Sequence, residues 1–105
     1  MLSIFKNLFG SGSGLPEEVI SNPKLTIVDV RTAGEYRGGH IKGSINIPLD
    51  QLDKNISKLK GKEPIVLCCA SGIRSGSAHR MLTGKGFTNV YNGGGWSSLA
   101  STLNK

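Results

Sequence analysis

An α/β fold, a mostly parallel central sheet flanked by helices, is the class this sequence predicts, and three observations predict it. Short apolar runs rich in β-branched residues alternate along the chain with stretches of helical character. Within one domain that alternation marks a parallel layer structure. The run Ile65-Val66-Leu67 carries no polar residue, as a strand covered on both faces requires. The length, 105 residues, suffices for a single core but not for two.

Each element has its own signal. Residues 1–9 read as a short amphipathic turn with Leu2, Phe5 and Phe9 on one side, an apolar strap on the domain. Gly10-Ser11-Gly12-Ser13-Gly14 follows no strand and reads as a flexible link. Residues 1–14 are therefore strap and link, and 15–105 the folded domain. Leu15–Ser21 reads as one or two helical turns, with Pro16 at the first position and Glu17 and Glu18 in the first turn. Leu25–Val30 is the first strong strand. Thr32 can cap a helix over Ala33–Arg37, with Glu35 at the capping-box position. Ser44–Pro48 alternates like a short strand ended by proline. Leu49–Lys60 reads as one helix with Leu52, Ile56 and Leu59 as its stripe. After the central strand, Ser75–Leu82 reads as a helix with Ile73, Ala78, Met81 and Leu82 on one face. Asn89–Asn92 is a last short strand, and a Gly93–Gly95 turn leads into a helix over Trp96–Leu103.

The formal charge of +6 favours anionic partners. Nucleic acid is the poorer match, because the lysines are scattered and no aromatic residues are interleaved with them as a stacking platform. Two adjacent cysteines are no disulfide framework, and a reducing compartment is the simpler expectation. The first ten residues contain no sustained apolar core and no cleavage signal, and no stretch reaches membrane-spanning length. A cytoplasmic monomer is expected.

The chemistry points to Pro64–Ser77. A strand, a tight loop and a helix N-terminus in succession make an anion site, with converging amides and the positive end of the helix dipole. A thiolate at the mouth of such a loop has a depressed pKa and is a ready nucleophile. The strand ends of Asp29, Cys69 and the Gly93–Gly95 turn lie where ligands bind in parallel sheets.

Asp29-Val30-Arg31, Glu35-Tyr36, Gly39-His40-Ile41-Lys42-Gly43-Ser44-Ile45-Asn46-Ile47-Pro48, Cys69-Ala70-Ser71-Gly72-Ile73-Arg74-Ser75 and Gly94-Gly95-Trp96 together resemble the rhodanese family of single-domain sulfurtransferases. The resemblance runs from about Leu15 to the C-terminus. It implies a small α/β domain and a double displacement. A loop cysteine takes a sulfane sulfur from a donor such as thiosulfate, becomes a persulfide, and passes the sulfur to cyanide, a thiol or a protein acceptor. No cofactor and no metal is implied. Counting from Cys69 leaves four residues before Arg74, the short loop of sulfurtransferases. Counting from Cys68 leaves five, the longer loop of related phosphatases, but Leu67 stands where those enzymes usually carry histidine. Cys69 is the favoured nucleophile and Cys68 a buried structural thiol. A phosphatase or arsenate-reductase-type enzyme using Cys68, or a non-catalytic sulfur-relay module, are the alternatives.

Under that resemblance Ala70, Ser71, Gly72, Ile73 and Arg74 bind the anionic donor, mainly through backbone N–H groups. Arg74 orients donor or loop, the bland alternative being an ordinary salt bridge. Ala70 and Ser71 lack the positive side chains that some thiosulfate-using relatives carry. Asp29, Arg31 and Ser75 are supporting residues, and Asp29, Arg31 and Glu35 are expected chiefly to tie strand to helix through buried polar bonds. His40 is expected in a structural turn, His79 exposed, and Trp96 in the core. Neither the cysteines nor the histidines have zinc-ligand spacing.

Overall fold

The computed structural model describes residues 14–104, so the strap expected over residues 1–9 and nearly all of the Gly/Ser link lie outside the described residues. Four strands, β1 (Thr26–Asp29), β2 (Ile45–Asn46), β3 (Ile65–Cys69) and β4 (Val90–Gly95), form one sheet in the order β2-β1-β3-β4. Every pairing is parallel. The helices are α1 (Glu17–Ile20), α2 (Ala33–Arg37), α3 (Ile56–Leu59), α4 (Ile73–Gly84) and α5 (Trp96–Leu103). The expected α/β class is the observed one.

β3 lies between β1 and β4 and is buried along its whole length. Its side chains alternate between two apolar layers, as strand geometry dictates. Ile65, Leu67 and Cys69 pack with Val28, Val30, Leu52, Leu59, Ala78 and Leu82. Val66 and Cys68 pack with Val19, Ile41 and Leu99 in the second layer.

Three expectations are corrected. Leu49–Lys60 is not one helix but 3₁₀ turns over Leu49–Gln51 and Asp53–Asn55 followed by α3. Asn55 bonds back to the Gln51 carbonyl at 2.7 Å, the local competition by which asparagine interrupts helices. The apolar stripe survives the break, for Leu52 and Leu59 are both fully buried. Gly93–Gly95 is not a turn but the end of β4, with Gly95 opposite Cys69. A Cβ on Gly93 would lie 2.6 Å from Val66 Cγ1, and one on Gly95 2.9 Å from the Ala70 carbonyl oxygen. These glycines let β4 press against β3 where a side chain would hold it away. Ile73 does not share the inner face of α4: it is 76% exposed. It precedes Ala78 and Leu82 by about one and a half and two and a half turns at 3.6 residues per turn, so it points away from them.

Candidate active site

β3 delivers Cys69 to its carboxyl end, and the chain then reverses over Ala70, Ser71 and Gly72 into α4. Gly72 makes the reversal possible. Its φ is +101°, and a Cβ there would stand 3.3 Å from Gly94 Cα. The Gly76 N–H closes the first helical turn on the Gly72 carbonyl at 2.9 Å. The loop thereby wraps the sulfur. The N–H groups of Gly72 and Ser75 donate to Cys69 Sγ at 3.0 and 3.3 Å, and Ser75 Oγ lies 3.4 Å from it. Burial pushes the Cys69 thiol pKa up, but once the sulfur is charged a bond from the Ser75 hydroxyl, with those from the loop N–H groups, outweighs it and holds the thiol below its ordinary value.

Cys68 has the opposite character. It faces the second apolar layer and is fully buried. Burial, with Asp29 nearby, drives its pKa up to about 12. Both cysteines are free.

Arg74 projects from the first turn of α4 to Glu35, with Nη1 donating to Oε1 at 2.8 Å and Nη2 to Oε2 at 3.0 Å. Its hydrogen bond to Glu35 raises the Arg74 pKa, and the same bond lowers the Glu35 carboxyl to about 2. Glu35 also completes the expected capping box with Thr32 at the start of α2. Asp29 and Arg31 form a buried pair: Nε donates to both carboxylate oxygens at 2.9 and 3.0 Å, and Nη2 to Oδ2 at 2.7 Å. Arg31 reaches on to the Glu35 and Gly39 carbonyls at 3.3 and 2.7 Å, and its guanidinium lies 4.7 Å from the Trp96 ring centroid. Asp29 and Arg31 tie strand, helix and turn as expected, but the Glu35 side chain is exposed and turns to Arg74, so only its backbone carbonyl joins the buried bonds.

The sequence of residues 16–102 matches the family model for the Rhodanese-like domain. The chain belongs to the rhodanese family. Escherichia coli PspE, a thiosulfate sulfurtransferase, is 33% identical to this rhodanese domain over 75 residues, 70% of this chain and 72% of PspE. Bacillus subtilis YrkF, whose name marks it as a candidate sulfur carrier, is 38% identical over 76 residues. That match is 72% of this chain but 41% of YrkF, so the chain spans less than half the length of that relative. Among solved structures, a rhodanese with anions from E. coli superimposes with a TM-score of 0.64 at 31% identity, over 70% of this chain and 89% of that one.

Within the rhodanese domain the N–H groups of Ser71, Gly72 and Ser75 face Cys69, whereas the Arg74 side chain goes to Glu35 and Ile73 turns its side chain to solvent. His40 sits in its expected turn, Nδ1 donating to the Tyr36 carbonyl at 2.7 Å and the ring stacked on Tyr36. His79 is not simply exposed: Nε2 donates to the Val90 carbonyl at 3.0 Å, tying α4 to β4. Sequence reasoning missed Asn92. Its Oδ1 accepts from Ser75 Oγ at 2.6 Å and from the Gly94 N–H at 3.0 Å, while Nδ2 donates to the Gly72 carbonyl at 3.2 Å. An asparagine two residues before a glycine signals the local bond to Gly94, but the reach to Ser75 and Gly72 follows only from the pairing of β4 with β3. A cleft of about 350 Å³ adjoins Arg74, lined by Val30, Thr32, Pro48, Leu49 and Asp50. Among the described residues, no helix is long and apolar enough to cross a membrane.

Proposed function

We propose that this domain is a sulfurtransferase in which Cys69 carries the sulfur. The observation behind this reading is the convergence of the Gly72 and Ser75 N–H groups on Cys69 Sγ. In the first half-reaction the Cys69 thiolate attacks the sulfane sulfur of the donor. A Cys69–sulfur bond forms, the donor's S–S bond breaks, and the electron pair leaves with the donor, as sulfite when the donor is thiosulfate. In the second, a thiolate or cyanide attacks the outer sulfur and Cys69 departs again as thiolate. The loop amides and the helix dipole stabilise the anionic sulfur in both directions.

A relay role, with an organic or protein-bound persulfide as donor, is favoured over thiosulfate by one observation. The only cationic side chain of the loop, Arg74, is already engaged by Glu35, and Ala70 and Ser71 add no charge. The apolar walls of the neighbouring cleft suit an organic group. The phosphatase reading is disfavoured, because Cys68 faces the opposite layer of the sheet.

Intact-protein mass after brief incubation with thiosulfate, and separately with an organic persulfide, tests both readings. A reversible gain of one sulfur (about 32 Da) at Cys69, absent in Cys69→Ser and kept in Cys68→Ser, is the expected result. Gain from the persulfide alone selects the relay role. Gain lost in Cys68→Ser instead, or no gain from either donor, rejects the assignment.

A further inference from the structure

We propose that Asn92 decides where the Ser75 hydroxyl sends its proton, and through it sets the balance between thiol and thiolate at Cys69. The Asn92 amide cannot be turned over. Its oxygen faces the Gly94 N–H and its nitrogen faces the Gly72 carbonyl, and backbone groups of these kinds admit one orientation only. Oδ1 is therefore what meets Ser75 Oγ at 2.6 Å, and since Oδ1 holds no proton, the hydroxyl donates to it. Ser75 has one proton. While that proton is on Asn92, Oγ can only accept from the sulfur at 3.4 Å, and this favours the neutral S–H form. Turning the hydroxyl by rotation about its C–O bond gives its proton to sulfur instead, and this favours the thiolate. Asn92 Oδ1 keeps the Gly94 N–H in either state, so the turn leaves no orphaned acceptor.

The consequence is a site with two settings. With Ser75 on Asn92, the sulfur keeps the loop N–H groups as donors, those of Gly72 and Ser75 at 3.0 and 3.3 Å. With Ser75 on the sulfur, the hydroxyl joins them. A charged Cys69 attracts the hydroxyl; once Cys69 is bonded to a second sulfur, the charge lies on the outer atom and the hydroxyl returns to Asn92. Asn92 is thus a positioning residue, acting on Cys69 only through Ser75.

The inference rests on Cys69 as the reactive thiol, but its test reads the thiol rather than sulfur transfer, so the two can fail separately. The rate of iodoacetamide alkylation at Cys69 is followed against pH in the full chain, with site assignment by mass. Asn92→Leu keeps the size and removes the competing acceptor. The inflection should fall by about half a pH unit or more, roughly a threefold faster reaction at pH below it, and Asn92→Leu should produce no such fall in a Ser75→Ala background. A purely structural Asn92 gives the opposite sign, because a loosened loop withdraws N–H donors and raises the inflection. An inflection unchanged or raised in a folded Asn92→Leu overturns the proposal. Should that variant not fold, Asn92→Asp keeps the outline and strengthens the acceptor, at the cost of the bond to the Gly72 carbonyl. Its inflection should rise, and the rise should shrink by at least half when Ser75 is alanine. An equal rise in both backgrounds would mean direct charge repulsion and would overturn it as well.

Discussion

Arg74 and Glu35 are joined at two points, Nη1 to Oε1 at 2.8 Å and Nη2 to Oε2 at 3.0 Å, so the guanidinium at the mouth of the cysteine loop is already matched to a carboxylate. Planar two-point pairing is the geometry that guanidinium offers best, and it leaves the loop little spare positive charge for a dianion. Glu35→Gln keeps the capping oxygen beside Thr32 and releases the cation. The KM for thiosulfate should fall roughly two- to fivefold, the range of one screened charge, with kcat little changed. Steady-state kinetics at low ionic strength read this, and an unchanged KM would show that Arg74 does not meet the donor.

The same carboxyl gives an acid-stability signature. Its pKa is about 2 in the folded chain against an ordinary 4.5. The folded-state value is the lower one, so the unfolded chain binds the proton first as pH falls. The contribution is complete above pH 4.5 and drains away toward pH 2. Melting temperatures should drop through that window in the wild type and less steeply in Glu35→Gln. Parallel curves would mean that water screens the pair completely.

The two adjacent thiols should behave as chemically different residues. The reactive form is the thiolate. Cys69, held down by the Ser75 hydroxyl and the loop N–H groups against the effect of burial, should alkylate with an inflection below the reference value of about 8.5. Cys68, pushed up to about 12 and fully buried, should stay unmodified in the folded protein at neutral pH. Mass mapping after limited alkylation reads both. Modification of Cys68 before Cys69 would reverse the assignment of roles.

Much of this was legible in the sequence, because its signals were local. The apolar run Ile65–Leu67, the capping box of Thr32 and Glu35, and the Gly72 reversal each depend on residues close together in the chain. What was illegible depended on partners far apart. Gly93–Gly95 reads as a turn until β3 is placed beside it, when the missing Cβ atoms become the condition for close pairing. Asn92 reads as a strand residue until the same pairing sets it against Ser75 and Gly72. Ile73 reads as part of the apolar stripe by residue type alone, whereas its phase about the axis of α4 sets it opposite Ala78 and Leu82.

Asp29 and Arg31 carry a stability prediction. Arg31 is only 4% exposed, and Asp29 meets it with both oxygens. Asp29→Ala leaves a buried guanidinium with two carbonyls, of Glu35 and Gly39, for company. Losing one partner of a buried pair costs about 3–5 kcal/mol, a large part of the stability of a small domain. Urea unfolding should show a loss of unfolding free energy of that size. A loss under about 1 kcal/mol would place Arg31 in water rather than in the protein.

Gly72 offers the sharpest separation of backbone from side-chain effects. At φ +101° an alanine is strained, and its Cβ would press on Gly94 Cα at 3.3 Å. Such strain costs about 1–3 kcal/mol. Either the domain bears it, or the loop relaxes and carries the Gly72 N–H off Cys69 Sγ, 3.0 Å away in the native loop. Relaxation removes a donor from the sulfur, so Gly72→Ala should both lower the urea midpoint and raise the Cys69 alkylation inflection. Gly84→Ala is the matched control. That glycine ends α4, and a Cβ there meets nothing within 4 Å, so alanine should leave the inflection alone and hold or slightly increase stability. A destabilised Gly72→Ala with an unmoved inflection would mean that the sulfur owes its low pKa to Ser75 and the helix dipole, with the Gly72 N–H serving only to shape the turn.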